Sequence, residues 1–266
     1  MEHKEIDGKE LERFFTRANW YHVIRSNNLT TSGVYDIDEV VHHYGFDKDY
    51  KERTVLEVGP SDGYFSFLFK KRGAKIVTAI DSNTYDGQVA INVTNKGRKS
   101  YEDKYSAYKK EYNEFKHVYE YYGVKTSNKL LVLSKIMSLN INYLNGSVYN
   151  LEHIENHDVV FCGDLLEHLR DPISAIEQLY SKTNQKCIIT VSTALTKSIR
   201  NIFYGDSYLR YVGHHAGGNF FQLSYGAVRN MCISAGFSKV ELFDEFNLKN
   251  NRHKTINKHL VIHAWK

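Results

Sequence analysis

LEVGPSDGYFSF, residues 56–67, holds two incompatible readings in one turn. Gly59-Pro60-Ser61-Asp62-Gly63 fits G-x-S-x-G, the pattern that lifts a nucleophilic serine onto a sharp strand-to-helix elbow. The same residues also make a glycine-bearing turn that can pass close to a nucleotide cofactor. The surroundings decide between the two. A nucleophile elbow follows several strands, because its oxyanion hole takes a backbone N–H from an earlier strand-to-helix loop. Here TVLEV at 54–58 is the first convincing strand, and no HGGG-type loop precedes it. The next strand, IVTAI at 76–80, ends at Asp81, 18 positions after Gly63. At that spacing a carboxylate accepts hydrogen bonds from the two hydroxyls of a ribose lying across the C-terminal edge of a sheet. Ser61 is therefore a loop residue, and the turn, with Glu57 two residues ahead of Gly59, binds a nucleoside.

Outward from this turn the pattern alternates. Tyr64–Lys71 reads as a helix, and further strands are expected at 140–144, 158–162, 187–192, 239–243 and 259–264. Helices are expected at 172–182 and 225–235, the second stopped by Gly236. Residues 8–25 carry Leu11, Phe14, Phe15, Ala18, Trp20, Tyr21 and Ile24 at helical spacing. Strands alternating with helices predict an α/β fold with a mostly parallel sheet covered on both faces. One segment breaks the rhythm. Tyr101, Tyr105, Tyr108, Tyr112, Phe115, Tyr119 and Tyr122 recur at alternating steps of 4 and 3, which predicts one long helix with an aromatic seam. Such a seam packs on its own domain, covers the site, or joins two copies in a homodimer. The chain divides into an N-terminal helix and cap at 1–50 and a main domain at 51–266, with a helical insertion at 95–138 and a second insertion at 194–222.

Composition narrows the function classes. The chain has 266 residues, 42% of them hydrophobic, enough for one substantial core. Its net charge of +4 permits an anionic partner without demanding nucleic acid, and its Lys and Arg are interleaved with acids. Cys162, Cys187 and Cys232 stand far apart without a C-x-x-C pair, which speaks against a disulfide framework or a cysteine zinc site and suits a reducing cytoplasm. No run approaches the ~18 apolar residues of a membrane span, and MEHKEIDGKELERFF lacks a signal-peptide core.

Two nucleoside cofactors suit such a switch point. A dinucleotide needs G-x-G-x-x-G with the helix start kept for pyrophosphate. G-P-S-D-G-Y puts Ser61 and Tyr64 where its second and third glycines belong, so that pattern fails. The turn instead resembles the first motif of class I S-adenosylmethionine (SAM)-dependent methyltransferases, acid-x-G-x-G-x-G, with Ser61 in place of the middle glycine. SAM has no phosphate, so Pro60 removes no needed N–H. DVVFCGDLLEHLRDP at 158–172 resembles the fourth-strand motif of that family, and AVRNMCISAGF its late helix and turn. WYHVI at 20–24, the first motif and LLEHLRDP at 165–172 together resemble a subfamily related to tRNA wobble-uridine carboxymethyltransferases.

The resemblance implies a Rossmann-like, seven-stranded sheet with its last strand antiparallel, and SAM as cofactor. It implies a cofactor site of Glu57, Gly59, Pro60, Ser61, Gly63, Tyr64, Phe65, Asp81, Ser82, Ser147, Val148, Gly163 and Asp164. In the tRNA enzymes a tyrosine precedes the histidine of the fourth-strand loop and helps hold a carboxylated SAM. Here that place is Glu167, which would repel the extra carboxylate, so ordinary SAM is expected.

Methyl transfer asks for in-line approach and removal of one proton. His168, in the loop after the fourth strand, and His214 and His215, in the insertion, are the candidate bases. His168 also reads as a plain cofactor-loop element. Asp164, Glu167, His168 and one of His214 or His215 loosely parallel a divalent-metal set, but the simpler reading is a site without metal. Trp20, Tyr21 and His22 either anchor the N-terminal helix or fold over the pocket and bind the acceptor. The expected acceptor is an oxygen or nitrogen of a polar small molecule or glycan precursor. The alternatives are tRNA modification and a non-catalytic SAM-binding protein.

Overall fold

Apolar side chains alternate faces along the central strands, and that alternation builds two cores. The computed structural model describes residues 6–26, 28–82, 106, 109–193, 207–213 and 219–266. A short hairpin of β1 (Arg25–Ser26) and β2 (Leu29–Thr30) precedes the main sheet, which begins with β3 (Thr54–Val58), β4 (Ile76–Asp81), β5 (Asn142–Asn145), β6 (His157–Gly163) and β7 (Thr183–Thr193). A second hairpin, β8 (Leu209–Tyr211) with β9 (Phe221–Leu223), comes before β10 (Lys239–Lys249) and β11 (Ile256–Trp265). The seven-stranded sheet runs β10-β11-β7-β6-β3-β4-β5, and only β11 opposes its neighbours. The chain leaves β3 outward to β4 and β5, then returns to β6 beside β3. The crevice between β3 and β6 is thus the topological switch point, where a ligand binds at the strands' C-terminal ends.

Val55, Val159 and Phe161 face one core, and Leu56, Val160 and Cys162 the other. On the first face lie α1 (Gly8–Arg17), α2 (Tyr64–Lys71), α3 (Lys116–Tyr121) and α4 (Lys129–Ile136), contributing Phe14, Phe69, Tyr119 and Leu133. On the second lie α5 (Pro172–Lys182) and α6 (Tyr225–Ala235), through Ile176, Leu179 and Val228. Local signals set their ends: Asp171 caps α5 by accepting from the Ser174 amide at 3.0 Å, with Pro172 opening the helix. Gly236, at φ +113°, stops α6 as the sequence implies. Cys162, Cys187 and Cys232 are free thiols buried in the second core.

Two expectations need correction. The N-terminal helix stops at Arg17 instead of reaching residue 25, and Ala18 is extended. Beyond it the amides of Tyr21 and His22 donate to Asp62 Oδ2, at 2.7 and 2.9 Å, so they are drawn from a helical ladder to the cofactor-side loop. The aromatic helix, where described, is helical at 109–114 and 116–121 with a turn at Phe115. There its seam is internal: Phe14 of α1 meets Phe115 and Tyr119 edge-on, at 5.4 and 5.5 Å between centroids. Tyr101, Tyr105 and Tyr108 lie outside the described residues.

Candidate active site

The loop leaving β3 is shaped by three left-handed backbones: Gly59 (φ +82°), Ser61 (φ +53°) and Gly63 (φ +91°). A β-carbon at Gly63 would stand 2.7 Å from Leu130 Cγ in α4, so this position is closed to side chains by packing as well as by conformation. Ser61 tolerates the left-handed region at a cost of roughly 1 kcal/mol, and its amide donates to Asp81 Oδ2 at 3.3 Å. Asp81 Oδ1 accepts from the Ser82 amide at 2.8 Å. Burial pushes the Asp81 carboxyl up to about 6, against the pull of those two amides. Glu57 is buried beneath the loop and accepts from Ser66 Oγ. Burial lifts it to about 8, opposed by the Ser66 hydroxyl and aided by the charge of Asp81.

Asp62 fastens the N-terminal segment to this loop. Besides the two amides it takes the His22 imidazole on Oδ1, with both side chains buried. Burial alone would raise Asp62, but the charge and hydrogen bonds of His22 outweigh it and hold it below the usual range.

Across the switch point, Leu165 lies next to Gly59, and the residues around it form an acidic group. Asp164, itself left-handed at φ +47°, accepts from Thr190 Oγ1 at 3.2 Å and pairs with His259 Nδ1 at 3.0 Å. Burial would raise its pKa, yet the charge and hydrogen bond of His259 bring it below the ordinary value. Glu167 is buried, and its Oε1 accepts from the Ser192 amide at 2.9 Å. Burial, and then the charge of Asp164, push it well above the usual carboxylate range. Tyr21 completes the group from the N-terminal segment. The residue keeps 41% of its surface exposed, yet desolvation, and then the charge of Asp164, raise its pKa well above that of a free tyrosine.

The fold brings Glu57, Gly59, Pro60, Ser61, Gly63, Asp81, Ser82, Gly163 and Asp164 to the C-terminal ends of β3, β4 and β6, with Ser147 just past β5. Other expected residues point elsewhere. Phe65 packs on Phe161 in the core, Tyr64 donates its hydroxyl to Asp38, and Val148 is buried in the second core. Trp20 is fully buried, donating to the Phe14 carbonyl at 3.1 Å, which makes it an anchor. His22 is an anchor too, through Asp62. His168 is exposed, and His214 and His215 lie outside the described residues. Among the described residues no three or more His, Cys, Asp or Glu side chains gather as a metal site would require. Sequence reasoning missed the clamp by Asp62 and the pairing of His259 with Asp164; Asp62 inside the glycine turn was the one signal available for the first.

Residues 34–249 match the family model described as a methyltransferase domain. The chain belongs to this family. The methyltransferase has the Rossmann-like class I fold and uses SAM as methyl donor. Its fold is similar to that of the N-terminal domain of EvdMO1, crystallised with SAH bound, at a TM-score of 0.60 and 11% identity over 100% of this chain and 99% of that one. It is also similar to YcgJ from Bacillus subtilis, with a TM-score of 0.54 and 10% identity over 85% and 98% of the two chains. At such identities the likeness concerns the fold. No curated protein matches the chain. The residues at the switch point fit the cofactor: each Asp81 oxygen takes one amide, so two of its lone pairs are left for a pair of hydroxyls. No helix among the described residues is long and apolar enough to cross a membrane.

Proposed function

We propose that this methyltransferase methylates an oxygen or nitrogen of a polar small molecule or glycan precursor. The reading is carried by the polar side chains gathered beside Leu165, where Tyr21 lies within electrostatic reach of Asp164 and Glu167. SAM supplies an already activated methyl, so the protein has to position the acceptor and accept one proton. Asp81 would hold the ribose hydroxyls, and the loop from Gly59 to Gly63 would pass the methionine part. His168, exposed on the loop after β6, and the pair His214 and His215 are the candidate bases. The resemblance to tRNA wobble-uridine enzymes rests on sequence motifs alone.

The test supplies SAM labelled on its methyl group to the purified enzyme with two fractions of a cell extract, metabolites and total tRNA. Label is expected in the metabolite fraction. Label confined to tRNA refutes the small-molecule reading, and SAM that fails to bind refutes the cofactor assignment.

A further inference from the structure

Residues 19–22 are held from several directions, and one side chain among them is left outside the packing. Trp20 and His22 are buried, at 0% and 4% exposed, whereas Tyr21 between them keeps 41% of its surface. The Tyr21 backbone is nevertheless fixed on both sides: its amide donates to Asp62 Oδ2 at 2.7 Å, and its carbonyl accepts from the Tyr35 amide at 3.0 Å. Ahead of it the Asn19 amide donates to Glu111 Oε2 at 2.6 Å, and Arg252 donates to Asn19 Oδ1 at 2.8 Å. Behind it the His22 ring is bound to Asp62. Gly33 packs so closely on this stretch that a β-carbon there would stand 2.0 Å from the His22 carbonyl carbon.

A tyrosine on a preset backbone offers a broad amphipathic surface at little entropic cost, because only two side-chain torsions remain to be ordered when a ligand arrives. Its place is the switch point. The Tyr21 amide is tied to the turn after β3, while its side chain lies within electrostatic reach of Asp164 and Glu167 after β6, so the residue spans the crevice between the two strand ends. Asp62 supplies the link to the cofactor loop. It stands between Ser61 and Gly63, both left-handed, so a ligand resting on that turn also fixes the carboxylate that holds Tyr21.

We propose that Tyr21 is a cofactor-contacting residue, closing the crevice from the N-terminal segment over SAM bound on the turn from Gly59 to Gly63, and that Asp62 is its positioning residue. This rests on the cofactor site at the switch point and adds to it a side chain from outside the loops of the sheet. Trp20 and His22 then anchor the segment, and Tyr21 between them faces the ligand.

Calorimetric titration with SAH, joined to hydrogen exchange, tests it. Tyr21→Ala truncates an exposed side chain, so it should leave the melting temperature of the unliganded protein in place and weaken SAH about tenfold or more. Tyr21→Phe should keep most of the affinity. In the wild type, saturating SAH should slow exchange at the Tyr21 and His22 amides. Asp62→Ala should weaken SAH as well, and Asp62→Asn, which keeps an oxygen for the two amides, should restore part of the loss. Gly33→Ala pushes on His22 without touching the turn and displaces Tyr21 by a second route. Each of these losses should shrink once Tyr21 is alanine, a non-additivity that general destabilisation does not produce; fully additive losses remove Asp62 from the positioning role. Equal SAH affinity in the wild type and Tyr21→Ala, or exchange at residues 21 and 22 indifferent to SAH, overturns the proposal and leaves the cofactor assignment standing. A wild-type protein that binds no SAH overturns the cofactor assignment itself, and this proposal with it.

Discussion

Asp81 takes one amide on each carboxylate oxygen and sits at a pKa of about 6 because it is buried, so its charge is adjustable near neutrality. The folded value lies above the ordinary 3.8, so the folded protein keeps a proton that the unfolded chain releases. Stability from this group is therefore present below 3.8 and lost as pH rises through about 6. Binding runs the other way, because an ionised carboxylate accepts two ribose hydroxyls better than a protonated one. SAH affinity measured by calorimetry should fall as pH drops through about 6 in the wild type. Asp81→Ala should lose about 1.5–3 kcal/mol of SAH binding at neutral pH and show no such dependence. An unchanged affinity in the variant would remove Asp81 from the cofactor site.

At the scale of elements, the clamp between the N-terminal segment and the β3–α2 loop joins residues 40 and 41 positions apart. Asp62 binds two amides and an imidazole in a buried setting, so Asp62→Ala orphans three donors at once. The expected loss is about 3–5 kcal/mol, as for other buried pairs broken on one side. Its depressed pKa adds a sign: this stability is present above the carboxylate's ordinary pKa and is lost as pH falls through the folded value. Hydrogen exchange should quicken at the Tyr21 and His22 amides before the rest of the sheet, and protection unchanged in the variant would show the clamp to be passive. The clamp also explains what the sequence withheld. TVLEV, IVTAI and the helix at 64–71 were legible because each obeys its own local period. The end of α1 was not, since helical spacing runs on to Ile24 and only a distant carboxylate diverts the chain. The pairing of Asp164 with His259, 95 positions apart, leaves no local trace either. The cofactor loop was readable because glycine and a strand-end acid have conformational and chemical reasons to sit where they do.

Over the whole molecule, the described part of the N-terminal segment, from residue 6 to 50, contributes to the core and is not a detachable cap. Phe14, Phe15, Trp20, Tyr44, Phe46 and Tyr50 are buried in one cluster with Val55 and Phe161 of the sheet and Phe65 and Phe69 of α2. Trp20 lies 5.1 Å from Phe14, Tyr44 and Phe46 stack at 5.2 Å, and Phe46 meets Phe161 at the same separation. An aromatic side chain buries about 150–250 Å², so these six together contribute roughly 20–40 kcal/mol of gross burial at about 25 cal/mol per Å². Removal of the segment uncovers Phe161 of β6 and Phe65 and Phe69 of α2 and takes away both partners of Asp62. A chain beginning at residue 51 should therefore lose its cooperative thermal transition and its SAH binding together, while the full chain melts in a single step. Calorimetry on both forms decides the matter: a soluble 51–266 fragment that melts cooperatively and binds SAH with the affinity of the full chain would show that the segment only covers the fold and does not complete it.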